Sequence, residues 1–195
     1  MFMARTSSLL RLAIELLRPS GLDQLTPSRI AEVVNRQLCR YNQDFTFVTL
    51  FLGLLDTATG TLIYTNAGHP APHLLQASGD VVQLEGKLDL PLGIRSDIQY
   101  QTNSIRLAMG DAMFVVSDGV DEAQNAEGAF YTNERLRADL RGAVKAGAKD
   151  LVRLVTDNVN AFTGSAPKAD DVTALALRWR PGRAEATSQR ENRAD

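Results

Sequence analysis

The chain has 195 residues, of which 44% are hydrophobic and 23% charged, values that are typical of one globular domain with or without a tail. Its formal net charge of −2 gives no electrostatic footprint for nucleic acid or an anionic membrane. The single cysteine, Cys39, excludes a disulfide framework and a multi-cysteine zinc site. With only two histidines, His69 and His73, any metal must be held mainly by oxygen.

Targeting and membrane signals are weak. No run of about 18 uncharged apolar residues is present. The apolar stretch over residues 9–17 is interrupted by Arg11 and Glu15, which argues against a signal peptide. The default expectation is a reducing, cytoplasmic setting, in which Cys39 contributes packing within an amphipathic helix.

The first predicted elements are two helices, over residues 6–18 and 27–41. Apolar residues recur at helical spacing in the first, until Pro19-Ser20-Gly21 ends the run. Thr26 is a typical N-cap for the second, with Pro27 in the first helical position. The apolar face of the second helix consists of Ile30, Val33, Val34 and Leu38. We expect both helices to pack on one face of a sheet.

A block of β-prone segments follows. They cover residues 45–55, 61–65, 73–76, 81–84, 98–107 and 112–116. The first two are expected to form a hairpin, and the last two a pair joined by Met109-Gly110-Asp111.

The C-terminal part predicts two more helices, a final strand over residues 172–179 and a polar tail. The helices are indicated by the spacing of Leu136, Leu140 and Val144, and then of Leu151, Leu154, Val155, Val159 and Phe162. Residues 182–195 carry no periodicity and are expected to be disordered, which leaves one domain over residues 1–181. Segregated helices and meander-like strands favour an α+β fold, with two sheets packed face to face and helix pairs outside.

Two acidic segments stand out as candidate sites. In Ser117-Asp118-Gly119-Val120-Asp121-Glu122, an apolar strand delivers Asp118 to its C-terminal end and Gly119 permits a sharp turn. A structural β-turn and a functional role are about equally supported by this pattern.

The second acidic segment, Asp170-Asp171, precedes the final strand. A pair of adjacent aspartates is more often part of a solvated loop. Two carboxylates about 4 Å apart repel by roughly 4 kcal/mol at an effective dielectric of 20, so if held close they need a cation such as Mg²⁺ or Mn²⁺.

A third segment, Tyr64-Thr65-Asn66-Ala67-Gly68-His69-Pro70, is first of all a turn, since Asn and Gly tolerate positive φ and Pro fixes the exit. His69 has the chemistry of a base or a metal ligand, but a single histidine without a nearby partner is more often structural.

Taken together, these segments resemble the SpoIIE-type branch of the metal-dependent protein phosphatases, the PPM or protein phosphatase 2C family. The resemblance covers residues 1–180 and rests on an ordered set of segments rather than on one motif. They are Phe47-Val48-Thr49, Tyr64 to Pro70 as quoted above, Leu90-Pro91-Leu92-Gly93, Gly110-Asp111, Ser117 to Glu122 followed by Ala123, and Asp170-Asp171-Val172-Thr173.

The resemblance implies an αββα sandwich with a dinuclear Mn²⁺ or Mg²⁺ site, where a metal-bridged water attacks phosphoserine or phosphothreonine. It implies that Asp118 and Asp170 are metal ligands, with Asp171 beside them. Asn66 and His69 match a signature near the site that supplies no ligand, and Gly119, Asp121 and Glu122 are also near-site residues. In relatives the substrate is often a phosphorylated anti-sigma-factor antagonist, and the N-terminal helices, implicated in switching, offer a homodimer surface.

The sequence departs from the family at its N-terminus. Members carry an upstream strand pair with a Gly-Asp-x-x-Asp motif that supplies a bridging Asp, and residues 1–4 here resemble the segment that follows it. We therefore expect one ion or none, weak Mn²⁺ binding and poor hydrolysis. If the chain is fully active, Asp121 or Glu122 has taken the bridging role. The alternative is an impaired pseudophosphatase, or a fragment, that acts as a protein-interaction module.

A second departure is Tyr131, where the family usually has Gly after Phe130. We expect this position to lie on the loop before a helix, and no chemistry is assigned to it.

Overall fold

The computed structural model describes residues 2–18, 25–40, 42, 46–84, 86, 88–167 and 171–180. The predicted tail, residues 182–195, lies outside these residues, and so does Asp170. In chain order the elements are α1 (Phe2–Leu17), α2 (Pro27–Arg40), β1 (Leu50–Leu55), β2 (Thr61–Ala67), β3 (His73–Leu75), β4 (Val81–Gln83), β5 (Asn103–Arg106), β6 (Ala112–Val116), α3 (Thr132–Gly142), α4 (Ala148–Thr163) and β7 (Ala174–Arg178). Among the described residues, no helix combines the length and apolar character needed to cross a bilayer.

The chain divides into two compact units, each with one antiparallel sheet and one pair of helices. The first unit contains α1, α2 and a three-stranded sheet in the order β1-β2-β5. The second contains α3, α4 and a four-stranded sheet in the order β4-β3-β6-β7. Two antiparallel sheets and segregated helix pairs confirm the predicted α+β class.

The helix pair of the first unit forms as the sequence predicts. The Oγ1 of Thr26 accepts a hydrogen bond from the backbone N–H of Arg29 at 3.3 Å, which caps α2. The predicted apolar face of α2 is packed, because Ile30, Val34 and Leu38 are fully buried. They share one core with Ala13 of α1, Ala67 of β2, Leu92 and Tyr100, and Val33 packs against it.

The predicted hairpin forms between β1 and β2, but its first strand is shorter than expected. Leu50 pairs with Ala67, the last residue of β2, so no strand residue remains to pair with the chain before Leu50. Val48 instead exchanges two backbone hydrogen bonds with Leu92, at 3.0 and 2.9 Å. The chain leaves β2 at Gly68, whose φ of +75° is a left-handed conformation that favours glycine.

The predicted pairing of residues 98–107 with residues 112–116 is wrong. β5 pairs with β2 in the first unit, whereas β6 pairs with β3 and β7 in the second. The turn between them is held by Asp111, whose two carboxylate oxygens accept the backbone N–H groups of Ala77 and Ala108, each at 2.8 Å. Because these bonds hold the turn to residues of the second unit, β6 does not pair with β5.

The core of the second unit lies between its sheet and the helices α3 and α4. Phe114 of β6 is fully buried there, together with Leu136 and Leu140 of α3 and Leu151 and Val155 of α4. In β7, Leu175 is 55% exposed and does not contribute to this core. Ala174 and Ala176, on the other face of that strand, pack against the core instead.

We predict that Asp111→Ala lowers the free energy of unfolding by about 2–4 kcal/mol. The reason is that the backbone N–H groups of Ala77 and Ala108 lose their acceptor at a buried position. Urea unfolding followed by circular dichroism measures this change. Asp157→Ala, at an exposed position of α4, is the matched control and should change stability by less than about 0.5 kcal/mol. An equal decrease in the free energy of unfolding of the two variants would contradict the structural role of Asp111.

Candidate metal centre

Asp118 lies one residue beyond Ser117, where the chain has just left β6. The strand itself is buried, whereas Asp118 is exposed and its Oδ1 accepts the N–H of Gly119 at 3.1 Å. The chain then turns tightly, with the N–H of Glu122 donating to the carbonyl of Asp118 at 3.0 Å. No return strand follows in the described residues 118–131, so the acidic loop, defined here as residues 117–123, is not a hairpin.

Gly119 does not make this turn by adopting a left-handed conformation. The φ angle of Gly119 is not positive, and the residue is buried at the start of the turn. The conformational freedom that the sequence suggested for Gly119 is therefore not used by the backbone here.

Ser117 connects the acidic loop to the segment that leads into β7. Its Oγ donates to the carbonyl of Asp171 at 3.1 Å and accepts the N–H of Thr173 at 3.0 Å. The backbone N–H of Ser117 also donates to the carbonyl of Thr173 at 3.0 Å. The chain at Asp171 is thus fixed beside the residue that precedes Asp118. The prediction that Asp118 and Asp170 converge stays a prediction, since Asp170 is outside the described residues.

Two further carboxylates, Asp121 and Glu122, crowd the same loop. The Oδ1 of Asp121 is buried and has no hydrogen-bond partner among the described residues, whereas Glu122 is exposed. Burial raises the pKa of the Asp121 carboxyl, the side chain of Asn133 partly offsets this, and the charges of Glu122 and Asp118 raise it further. The loop therefore concentrates negative charge that a cation would relieve.

The donors in this region fit a hard divalent cation, because all of them are carboxylate, hydroxyl or carbonyl oxygens. Among the described residues, however, no group of three Asp, Glu, His or Cys side chains is arranged to hold a metal ion. Asp170, one of the predicted ligands, lies outside these residues, so the number of ions that the site holds stays a prediction.

Asn66 and His69 lie in the first unit and hold a tight turn together. The side-chain amide of Asn66 donates to the carbonyl of His69 and its Oδ1 accepts the N–H of His69, both at 2.9 Å. The Nδ1 of His69 lies 3.2 Å from the Oγ1 of Thr49. A Cβ on Gly68 would come within 2.4 Å of Pro91, which explains the glycine in this turn. Each of these contacts is structural.

Cys39 behaves as the sequence suggests. Its Sγ donates to the Oδ1 of Asn35 at 3.6 Å, and burial raises the pKa of its thiol. It borders a cavity of about 360 Å³ with Asn42 and residues 93–97. A thiol with a raised pKa is a poor nucleophile at neutral pH.

One neighbour of the acidic loop was not singled out by the sequence. Asn133 is the second residue of α3, and it partly offsets the rise in the pKa of Asp121 that burial causes. A single asparagine in the first turn of a helix carries no signal that would distinguish it from a solvated residue.

We predict that Ser117→Ala accelerates hydrogen exchange of the Thr173 amide about tenfold, because that N–H loses its acceptor on the Ser117 hydroxyl. Ser117→Thr keeps a hydroxyl and is the matched control. Exchange measured by mass spectrometry or NMR gives the result, and an unchanged Thr173 amide in Ser117→Ala would contradict the proposed connection.

Comparison with known proteins places these features in a family. The sequence profile described as Stage II sporulation protein E (SpoIIE) matches residues 1–180. The phosphoserine phosphatase RsbU of Bacillus subtilis is 26% identical over 172 residues, which cover 88% of this chain and 50% of RsbU.

Solved structures show the same fold. The RsbU and RsbW domains of a Mycobacterium tuberculosis protein match with a TM-score of 0.71 and 26% identity, covering 98% of this chain and 56% of that one. The phosphatase domain of SpoIIE from Bacillus subtilis matches with a TM-score of 0.59 and 17% identity. The match covers 90% of this chain and 73% of that one.

The chain spans between 20% and 50% of the length of the curated relatives it matches. The fold of the solved relatives is that of the protein phosphatase 2C type, as the sequence predicted. The profile match covers nearly the whole chain, and the chain therefore belongs to the SpoIIE family of phosphatase domains.

Proposed function

We propose that this chain is the phosphatase domain of a bacterial signalling protein and removes phosphate from phosphoserine or phosphothreonine on a partner protein. The observation that carries the proposal is the position of Asp118, an exposed carboxylate at the end of a buried strand, fixed beside the segment that begins at Asp171. Family membership supports the same reaction class, and the relative RsbU is named as a phosphoserine phosphatase.

In this proposal Asp118 and Asp170 hold Mn²⁺ or Mg²⁺, with Asp171 as their neighbour. When bound, such an ion lowers the pKa of water and offsets charge on phosphoryl oxygens. The protein's own contribution is to aim the carboxylate of Asp118 from a rigid strand end and to keep the Asp171 segment in place through Ser117. No protein nucleophile is required.

For the partner, we propose a phosphorylated anti-sigma-factor antagonist encountered in the cytoplasm. Support comes from the relatives, since RsbU is similar along 88% of this chain and one similar solved structure contains RsbU and RsbW domains. The net charge of −2 is compatible with a protein substrate and offers no attraction to polyanions.

The second candidate is an interaction module without efficient catalysis. It is favoured by a departure from the family pattern, since no Gly-Asp-x-x-Asp motif occurs in the 195 residues. The two candidates differ in ligand count, because a site with few ligands binds one ion poorly and cannot clamp both the attacking and the leaving oxygen.

We predict that the 195-residue chain hydrolyses an aryl phosphate and a phosphoserine protein only weakly with Mn²⁺. Joining a relative's strand pair containing Gly-Asp-x-x-Asp ahead of Met1 should raise the rate by orders of magnitude, because it supplies a bridging carboxylate. Asp118→Asn in that chimera should lower kcat/KM at least about 100-fold.

Asp157→Asn, an equal charge change at an exposed position of α4, is the control for this experiment and should leave the rate unchanged. A folded chimera that hydrolyses neither substrate would contradict the phosphatase proposal. Full activity of the 195-residue chain by itself would contradict the argument from ligand count and point to Asp121 or Glu122 as the bridging group.

We also propose that α1 forms a homodimer surface. Leu12 and Leu16, one turn apart on α1, are 54% and 62% exposed, whereas the apolar face of α2 is already buried. Of the two N-terminal helices, α1 is therefore the one with apolar surface left to bury in a dimer.

We predict that the double variant Leu12→Glu, Leu16→Glu is monomeric in sedimentation at concentrations where the unchanged chain is a dimer, because two charges would be buried in the interface. Leu90→Glu, at a leucine that is 48% exposed elsewhere in the first unit, is the control and should remain dimeric. An unchanged chain that stays monomeric at high concentration would contradict the dimer.

A further inference from the structure

The acidic loop is attached to the rest of the second unit at both of its ends. At the first end, the Oγ of Ser117 bonds to the segment that leads into β7. At the second end, the N–H of Tyr131 donates to the carbonyl of Ala123 at 2.8 Å, and the N–H of Thr132 donates to the carbonyl of Asp121 at 3.4 Å. The position of the loop therefore depends on how firmly the chain is held at Tyr131 and Thr132.

Tyr131 directly precedes α3, as the sequence predicted, and its backbone is ordinary. Its φ of −63° and ψ of −44° suit any residue, so this position does not itself require the glycine that family members carry. The next residue, Thr132, has φ of +67°, a left-handed conformation that is unfavourable for a β-branched residue. Such a conformation persists only where its surroundings determine it strongly. We therefore looked to the side chain of Tyr131 for the contacts that hold this part of the chain.

The side chain of Tyr131 is buried and is held from two directions. Its hydroxyl donates to the Oδ2 of Asp139, eight residues further along the chain in α3. Its ring meets the ring of Phe162 in α4 edge-on, with the centroids 5.3 Å apart and the planes at 73°. The guanidinium of Arg135 lies over the same Phe162 ring, 4.6 Å from its centroid. One residue thus connects the end of the acidic loop to both helices of the second unit.

The hydrogen bond from Tyr131 to Asp139 keeps its donor over the whole working pH range. Burial, and after it the hydrogen bond and the charge of Asp139, raise the pKa of the Tyr131 phenol. The hydroxyl therefore stays protonated at neutral and at alkaline pH. A hydrogen bond to a carboxylate is roughly twice as strong as one between neutral groups. The contact is therefore strong enough to hold the ring in one orientation.

We propose that Tyr131 is a positioning residue whose side chain, anchored on Asp139 and Phe162, fixes the backbone bonds that hold the acidic loop, and with it Asp118, in one place. It acts through the backbone and does not touch the substrate. The part of this inference that concerns metal affinity rests on the proposed function, whereas the part that concerns the loop does not. A residue that orients metal ligands from outside typically changes metal affinity by about 10- to 100-fold when it is replaced.

The first test removes only the hydroxyl. Tyr131→Phe keeps the ring that contacts Phe162, and we expect hydrogen exchange of the amides at positions 131 and 132 to rise about tenfold, because these two N–H groups bond to the acidic loop. Exchange of the Leu140 amide, in the last turn of α3, should stay within about threefold of its value in the unchanged chain. Unchanged exchange at positions 131 and 132 would overturn the proposal.

The second test changes the other partner of the same bond. Asp139→Leu removes the acceptor and should match Tyr131→Phe, whereas Asp139→Asn keeps an acceptor oxygen and should leave both amides within about threefold of the unchanged chain. In the double variant Tyr131→Phe, Asp139→Leu the two effects should not add, because both remove one interaction. Asp157→Leu, at an exposed position of α4, is the control and should change neither amide. Effects that add, or that spread throughout α3, would show a merely structural role and overturn the proposal.

Mn²⁺ affinity, measured by the paramagnetic resonance of free Mn²⁺, is the second readout. We expect Tyr131→Phe to weaken binding about tenfold and Asp139→Asn to leave it within about threefold. Equal affinity of Tyr131→Phe and the unchanged chain would overturn the part that concerns the metal. If the unchanged chain binds no Mn²⁺, the proposed function is contradicted for this chain, and the hydrogen exchange still decides whether Tyr131 positions the loop.

Discussion

The position of β6 is the constraint on which the candidate site depends. β6 lies inside its sheet, with β3 on one side and β7 on the other, and Phe114 at its centre is fully buried. An interior strand with both edges paired cannot shift its register without breaking two ladders of hydrogen bonds. The register of β6 therefore fixes the position of Asp118 within the second unit. The loop that follows has to form at that position.

That rigidity has an electrostatic cost. Asp118, Asp121 and Glu122 lie within five consecutive residues, and Asp121 is partly buried among them. Among the described residues, the Gly119 amide donates to the Asp118 carboxylate, and the N–H of Thr132 donates to the backbone carbonyl of Asp121. Neutral donors stabilise charge without forming fixed ion pairs, so they leave the carboxylates available to a cation.

The helices and the position of Asp118 could be predicted from the sequence. The features that the sequence did not predict share one cause. The helices followed from apolar spacing and from the Thr26 cap, and Asp118 followed from a polar residue at the end of an apolar strand. The pairing of β5 with β2 was missed because a turn between neighbouring segments looks like a hairpin, whereas the hydrogen bonds of Asp111 to Ala77 and Ala108 decide otherwise. Asn133 was missed for a similar reason, since the carboxyl whose pKa it lowers, Asp121, lies 12 positions away along the chain. Contacts between distant side chains leave no local pattern.

Asp111 and Asp118 show how structure separates two aspartates that the sequence presents alike. They flank the two ends of the same strand, and each sits beside a glycine in the motif order. Asp111 is buried, and both of its oxygens are occupied by backbone N–H groups at 2.8 Å. Asp118 is exposed, and among the described residues its carboxylate accepts one hydrogen bond, of 3.1 Å, from the N–H of Gly119. A buried carboxylate that accepts backbone N–H groups on both oxygens stabilises a turn, whereas an exposed carboxylate at a strand end is suited to bind an ion. The proposed function therefore assigns the chemistry of the second unit to the Asp118 end of β6, whereas the Asp111 end stabilises the fold.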